Sequence, residues 1–121
     1  METCYVMAER FSAADFLHGP IALIERDFPA FIFMPPGPTF HSMRELTQRL
    51  RKLRAEVVAI TGPGTSIPAA TRVIRVPGKI PEIYTPIPYI IPGQLFAALL
   101  AEIKGLDPDK PRSLNIVTQT V

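Results

Sequence analysis

Pro29-Ala-Phe-Ile-Phe-Met34 is an unbroken apolar run closed by Pro35-Pro36-Gly37-Pro38, and Glu56-Val-Val-Ala-Ile60, ended by Thr61-Gly62-Pro63-Gly64, is a second of the same kind. Neither run alternates polar with apolar residues. Runs of this type suit strands covered on both faces, the situation in a parallel sheet. Between them, Thr39 or Ser42 is positioned to begin a helix, and Ser42 with Glu45 fits a capping box. Met43, Leu46, Leu50 and Leu53 then follow at helical spacing along one side, opposite Arg44, Arg51 and Lys52. Strand, helix and strand in this order predict α/β layering around a mainly parallel sheet.

Further elements extend this centre in both directions. Glu2 to Met7 reads as the tail of a helix whose beginning lies outside the sequence. Ser12 is placed to cap a short helical turn, with Asp15 at the positive end of its dipole. That turn is expected to stop at His18-Gly19-Pro20, with Gly19 in a left-handed conformation, and Ile21 to Ile24 to add one more turn. Thr71-Arg-Val-Ile-Arg-Val76 alternates and predicts a strand near an edge. Pro86 to Lys104 is the last long helix, its regular part confined by Pro88 and Pro92 to the later residues and ended by Gly105. Residues 107–121 form a tail of extended character. Three strands are few for a sheet covered on both faces. The chain therefore either assembles with itself or is the later portion of something longer. The apolar runs 29–34, 56–60 and 95–103 predict an oligomer.

The whole chain of 121 residues is about one domain, and its 47% hydrophobic and 20% charged content is that of a folded globular protein. A single cysteine, Cys4, excludes an internal disulfide and a cysteine-only metal site and suits a reducing, cytoplasmic setting. No stretch approaches about 20 uninterrupted apolar residues, so no membrane-crossing helix is expected. Thirteen basic against eleven acidic residues give a net charge of +2, too small to indicate nucleic acid. The 14 prolines stand at element boundaries, so they punctuate a fold instead of forming a linker.

Several constellations could carry chemistry. Thr61-Gly-Pro-Gly-Thr-Ser66 follows a strand, where α/β proteins bind ligands, and its glycines and hydroxyls could hold an oxyanion. It also reads as a plain connecting loop, because no clear helix N-terminus follows to add a dipole. Pro35-Pro-Gly-Pro38 precedes a helix but lacks the amide donors a phosphate needs, so it is a rigid turn. Arg44, Arg49, Arg51, Lys52 and Arg54 form a solvated face of their helix. The two histidines have no metal-ligand spacing, and neither a metal nor a cofactor is expected. The methionines read as core filler, and Cys4 as buried and inert. His18 lies where a short helix stops, exposed at a turn. An imidazole there could move protons in either direction, or simply favour the negative end of the helix.

Taken together, Glu2-Thr-Cys-Tyr5, Ala8-Glu9, Phe16-Leu-His-Gly-Pro-Ile-Ala-Leu-Ile24, Tyr89-Ile-Ile-Pro-Gly-Gln-Leu95 and Gly105-Leu-Asp-Pro-Asp-Lys-Pro-Arg112 resemble the second sugar-isomerase (SIS) domain of the glucosamine–fructose-6-phosphate aminotransferase family. The resemblance covers essentially the whole chain, 1–121, as the C-terminal portion of such a domain. It implies a three-layer αβα sandwich with a mainly parallel sheet, of which this chain holds about three strands. The first SIS domain, the opening of the second and its serine- and threonine-rich phosphate loop would lie outside. The implied chemistry is aldose–ketose interconversion of a hexose or amino-sugar 6-phosphate by general acid–base proton transfer. His18 would open the sugar ring, lent across a dimer interface, and Glu2 would shuttle the carbon-bound proton. The family's imine-forming lysine is replaced by Ile116, which argues against amino transfer. The implied partners are a sugar phosphate and either a second copy, in a homodimer or higher oligomer, or a separate first SIS half. The alternative is a non-catalytic sugar-phosphate-binding or assembly module.

Overall fold

A computed structural model describes residues 3–110 of the chain. In chain order the elements are helix α1 (Ala13–Leu17), a short 3-10 helix (Pro20–Leu23), strand β1 (Pro29–Met34), helix α2 (Phe40–Lys52), strands β2 (Glu56–Thr61) and β3 (Arg72–Arg75), a second 3-10 helix (Glu82–Tyr84) and helix α3 (Pro86–Ile103). The strands form one parallel sheet in the order β1-β2-β3. Two compact units divide the described residues: one is Arg10–Pro92, the other draws on residues before and after it.

Within Arg10–Pro92 the register fixes what each sheet face carries. Pro29 pairs with Glu56 and Met34 with Thr61, and Val58 pairs with Arg72 and Thr61 with Arg75. Side chains alternate across a strand, so Ile32, Met34, Val57, Ala59 and Val73 share one face. They make a single core with Leu46 and Leu50 of α2, and Ala13, Phe16 and Leu17 of α1 pack against it. Of the predicted apolar side of α2, Leu46 and Leu50 are buried and Met43 half-buried, while Leu53 is exposed, as are Arg44, Arg49, Arg51 and Lys52. Three of those cations lie in the last turn, where they complement the negative end of the helix.

On the opposite face Ile60 and Val76 pack with Tyr89 from the start of α3, joined by Phe31 and Ile80. The layers are thus α2, sheet and the beginning of α3, the expected αβα order. Coverage of this second face is incomplete. Phe33 is 38% exposed and Ile74 is 37% exposed, so β1 is not buried on both faces as its composition suggested. The wetter edge expected at β3 is found there: Arg72, Ile74 and Arg75 are all exposed.

Element ends obey local chemistry, with some departures from the sequence reading. Ser12 caps α1 by accepting from the Asp15 amide at 3.2 Å, and its hydroxyl donates to the Asp15 carboxylate at 2.6 Å. α2 starts at Phe40 after Thr39, earlier than a Ser42 capping box requires. Ser42 instead donates its hydroxyl to the Thr39 carbonyl at 2.8 Å. No helix occupies residues 3–7: Tyr5 has φ of 49°, a left-handed value that right-handed helix cannot accommodate. Gly19 is extended, at φ 168°, not left-handed. α3 is helical from Pro86 onward despite Pro88 and Pro92, because amides of the first turn have no intrahelical acceptor to lose and only Pro92 lies in the interior. Its end is as expected. Gly105 (φ 67°) donates to Glu102 O and Leu106 to Ala101 O, the paired bonds of a Schellman motif. Of the expected tail, only residues 107–110 are described. In the second unit the Lys104 ammonium donates to the carbonyl of buried Cys4 at 2.8 Å.

Residues Glu82–Ile103 are 22 residues long and apolar enough to cross a membrane by length and composition.

Two substitutions test this packing. Leu50 is 1% exposed in the α2–sheet core, and Leu50→Ala should destabilise the fold by about 2–5 kcal/mol in urea unfolding. Arg54 ends α2 at φ 63°, where only glycine is free of strain, so Arg54→Gly should raise stability by about 1 kcal/mol in the same assay.

Candidate functional site

The carboxyl ends of parallel strands are the usual ligand position in α/β folds, and here three loops meet above them. Thr61, fully buried, donates its hydroxyl to the Met34 carbonyl at 3.0 Å and so ties the ends of β2 and β1 together. The loop after β2 is held by Arg75, whose Nη1 donates to Thr65 O at 2.7 Å and to Gly62 O at 3.4 Å. Gly62 leaves no space for a side chain, since a Cβ there would lie 2.9 Å from Pro36 Cγ and 3.3 Å from the Tyr89 hydroxyl oxygen. The segment 61–66 is thus pinned by its own neighbours. Its Thr61 hydroxyl already serves the sheet, which favours the connecting-loop reading over an oxyanion cradle. The Glu82 carboxylate lies against Gly37, so the loop ahead of α2 already faces a negative charge.

Two shallow crevices flank Tyr89 at this end of Arg10–Pro92. One of about 290 Å³ is lined by Phe33, Pro35, Thr85, Pro86, Tyr89 and Ile90. The other, about 320 Å³, is lined by Arg75, Val76, Pro77, Pro88, Ile91 and Pro92. Both walls are dominated by apolar atoms. Burial of Tyr89 raises its phenol pKa above the ordinary 10.0, because ionisation would place a charge against the sheet. Tyr89 escaped the sequence reading: in a helix apolar on every side, composition does not reveal which residue faces the sheet.

His18 stands elsewhere. It is the C-cap of α1, exposed, with its amide donating to Asp15 O at 3.2 Å, and it lines neither crevice. α1 sets it there by turning Ala13, Phe16 and Leu17 toward the core and leaving the terminal imidazole outward. Glu2 and Ile116 lie outside the described residues. No cluster of histidine, cysteine and carboxylate side chains among the described residues could hold a metal ion.

The arrangement of a parallel sheet between α2 and the start of α3 is that of the SIS domains. The structure superposes with a TM-score of 0.79 on the C-terminal domain of glucosamine-fructose-6-phosphate aminotransferase from Francisella tularensis, over 89% of this chain and 31% of that one, at 20% identity. It also superposes on tagatose-6-phosphate ketose/aldose isomerase from Escherichia coli with a TM-score of 0.66, over 89% of this chain and 30% of that one, at 24% identity.

Sequence comparison gives the particular relatives. The chain is 40% identical over 119 residues to glutamine–fructose-6-phosphate aminotransferase of Leifsonia xyli, and 40% identical over 114 residues to that of Pyrococcus horikoshii. Each match covers 93% of this chain and 19% of the relative, so the chain spans about a fifth of the length of the enzymes it matches. It is a homologue of part of the glutamine–fructose-6-phosphate aminotransferases and has the SIS fold. No family model matches the chain.

Gly62→Ala should force Pro36 or Tyr89 to move and destabilise the fold by about 1–3 kcal/mol, read from the urea midpoint. The raised Tyr89 pKa has a signed consequence. The unfolded chain ionises first, so the stability tied to the neutral phenol is complete below pH 10 and falls as pH rises through the folded-state value. Ultraviolet titration of the protein and of Tyr89→Phe should therefore differ only above the pH at which ordinary tyrosines ionise.

Proposed function

We propose that this chain forms the phosphosugar-binding C-terminal portion of an SIS domain, acting on a hexose or amino-sugar 6-phosphate by general acid–base proton transfer. The observation that carries the reading is the 40% identity to glutamine–fructose-6-phosphate aminotransferases over 93% of the chain. The exposed turn at His18 supports it, since an imidazole presented outward from a short helix is free to reach a substrate held by another subunit. In this reading all of 1–121 acts as one portion of the domain. His18 handles the ring oxygen or hydroxyl proton, Glu2 carries the proton between carbons 1 and 2, and no cofactor takes part. Ile116 in the imine-forming position makes isomerisation a better fit than amino transfer.

A second reading is favoured by the loop geometry. With Arg75 and Thr61 committed to backbone carbonyls and both crevices apolar, the carboxyl end of the sheet offers little to a phosphate. The chain would then be a non-catalytic binding or assembly module, complemented by a separate first SIS half.

Purified chain incubated with fructose 6-phosphate or glucosamine 6-phosphate separates these readings. Interconversion that falls about a hundredfold or more in His18→Ala supports proton transfer by the imidazole. Calorimetric binding without turnover supports the module. Turnover unchanged by His18→Ala removes this residue from the mechanism, and an absence of both binding and turnover at millimolar sugar phosphate overturns both readings.

A further inference from the structure

We infer, resting on the sugar-phosphate reading above, that Phe11 and Asp15 determine which sugar the chain prefers by taking an ammonium on carbon 2 over a hydroxyl. Within Arg10–Pro92 the α1 turn leaves three chemically capable side chains outside the core: Phe11 ahead of the helix, Asp15 within it and His18 at its end. The Phe11 ring lies 5.7 Å from that of Phe16, tilted by 49°, and Phe16 packs on the α2–sheet core. Phe11 is thereby held in place, yet it stays 47% exposed. Asp15 is held as firmly. Ser12 donates its hydroxyl to Oδ2 at 2.6 Å and accepts from the Asp15 amide, which fixes the direction of the carboxylate. Among the described residues, Oδ1 has no hydrogen-bond partner and no lysine or arginine lies within ion-pair distance.

Phe11 directly precedes Ser12, so the ring and the carboxylate stand at the same turn. Both attract an ammonium, the ring through the negative potential of its face and the carboxylate through a charge-assisted hydrogen bond. A neutral hydroxyl gains neither the cation–π attraction nor the ion pair. Asp15 and His18 are three residues apart and so are neighbours on one turn, with Cβ atoms about 5–6 Å apart. In a pyranose, carbon 1 alone separates carbon 2 from the ring oxygen. A sugar whose amine meets Asp15 therefore has its ring oxygen within reach of the His18 imidazole, the group assigned to ring opening.

Isothermal titration calorimetry of the full chain at neutral pH tests this with glucosamine 6-phosphate, glucose 6-phosphate and N-acetylglucosamine 6-phosphate. These sugars differ only at carbon 2, which carries an ammonium, a hydroxyl and a neutral amide respectively. The amine is expected to bind about fivefold more tightly than the other two, the scale of one exposed ion pair. Asp15→Asn keeps an acceptor for Ser12, and Phe11→Leu keeps an apolar side chain against Phe16, so both should retain the native circular dichroism spectrum. In each the ratio should fall to about one. Asp27→Asn, at another exposed carboxylate, should leave it at the wild-type value. Equal wild-type affinity for amine and hydroxyl, a preference that persists in Asp15→Asn or Phe11→Leu, or equal loss in Asp27→Asn would overturn the inference while the sugar-phosphate reading stands. Failure of all three sugars to bind at millimolar concentration would overturn that reading, and the inference with it.

Discussion

The burial of one sheet face under α2 is the constraint from which the rest of Arg10–Pro92 follows. Met34, Val57 and Ala59 are fully covered, and Leu46 and Leu50 of α2 supply the cover. A slip of β1 by one residue against β2 would exchange Met34 for Phe33 on that face, so the core itself enforces the parallel register. The Thr61 hydroxyl on the Met34 carbonyl then locks the carboxyl ends, where the loops to α2 and β3 emerge. The positions of Gly37, Gly62 and Arg75 are consequences of this packing.

The second face is organised by one residue. Tyr89 covers Ile60 and Val76 at the centre of the sheet, which leaves a crevice to either side and the isoleucines of α3 outward. The same helix is thus a partial lid over the sheet and an apolar surface toward the outside. α2, with Arg44, Arg49, Arg51 and Lys52 exposed, is an ordinary solvated helix with one buried side.

How much of this was readable beforehand follows from how locally each feature is determined. β1 and β2 were legible because runs of four to six apolar residues closed by proline and glycine have few other uses. The end of α3 was legible because Gly105 makes a local pair of bonds. Of the two starts offered for α2, Thr39 is the one that precedes the helix, and the Ser42 box does not form because the Ser42 hydroxyl bonds backward to Thr39. Pro88 and Pro92 suggested a delayed helix, but Pro88 lies in the first turn, where proline removes no intrahelical bond, and the helix continues through Pro92 in its interior. At the candidate site, exposure of His18 could be read from the Leu-His-Gly-Pro turn. The burial of Tyr89 and the Arg75 clamp depend on contacts across the sheet that no spacing encodes. The one-sided coverage of β1 was equally hidden, because composition states what a strand can bury and not what is present to cover it.

The proposed function would add one demand to this architecture: the imidazole of His18, held outside the core, would have to meet a phosphorylated sugar. The most direct measurement is nuclear magnetic resonance of the two histidine side chains during titration with glucosamine 6-phosphate, with inorganic phosphate as the comparison. The account predicts that the His18 ring resonances shift saturably with the sugar ester, while those of His41, exposed on α2, stay in place. Resonances of His18 that do not move, or that move equally with inorganic phosphate, would contradict it.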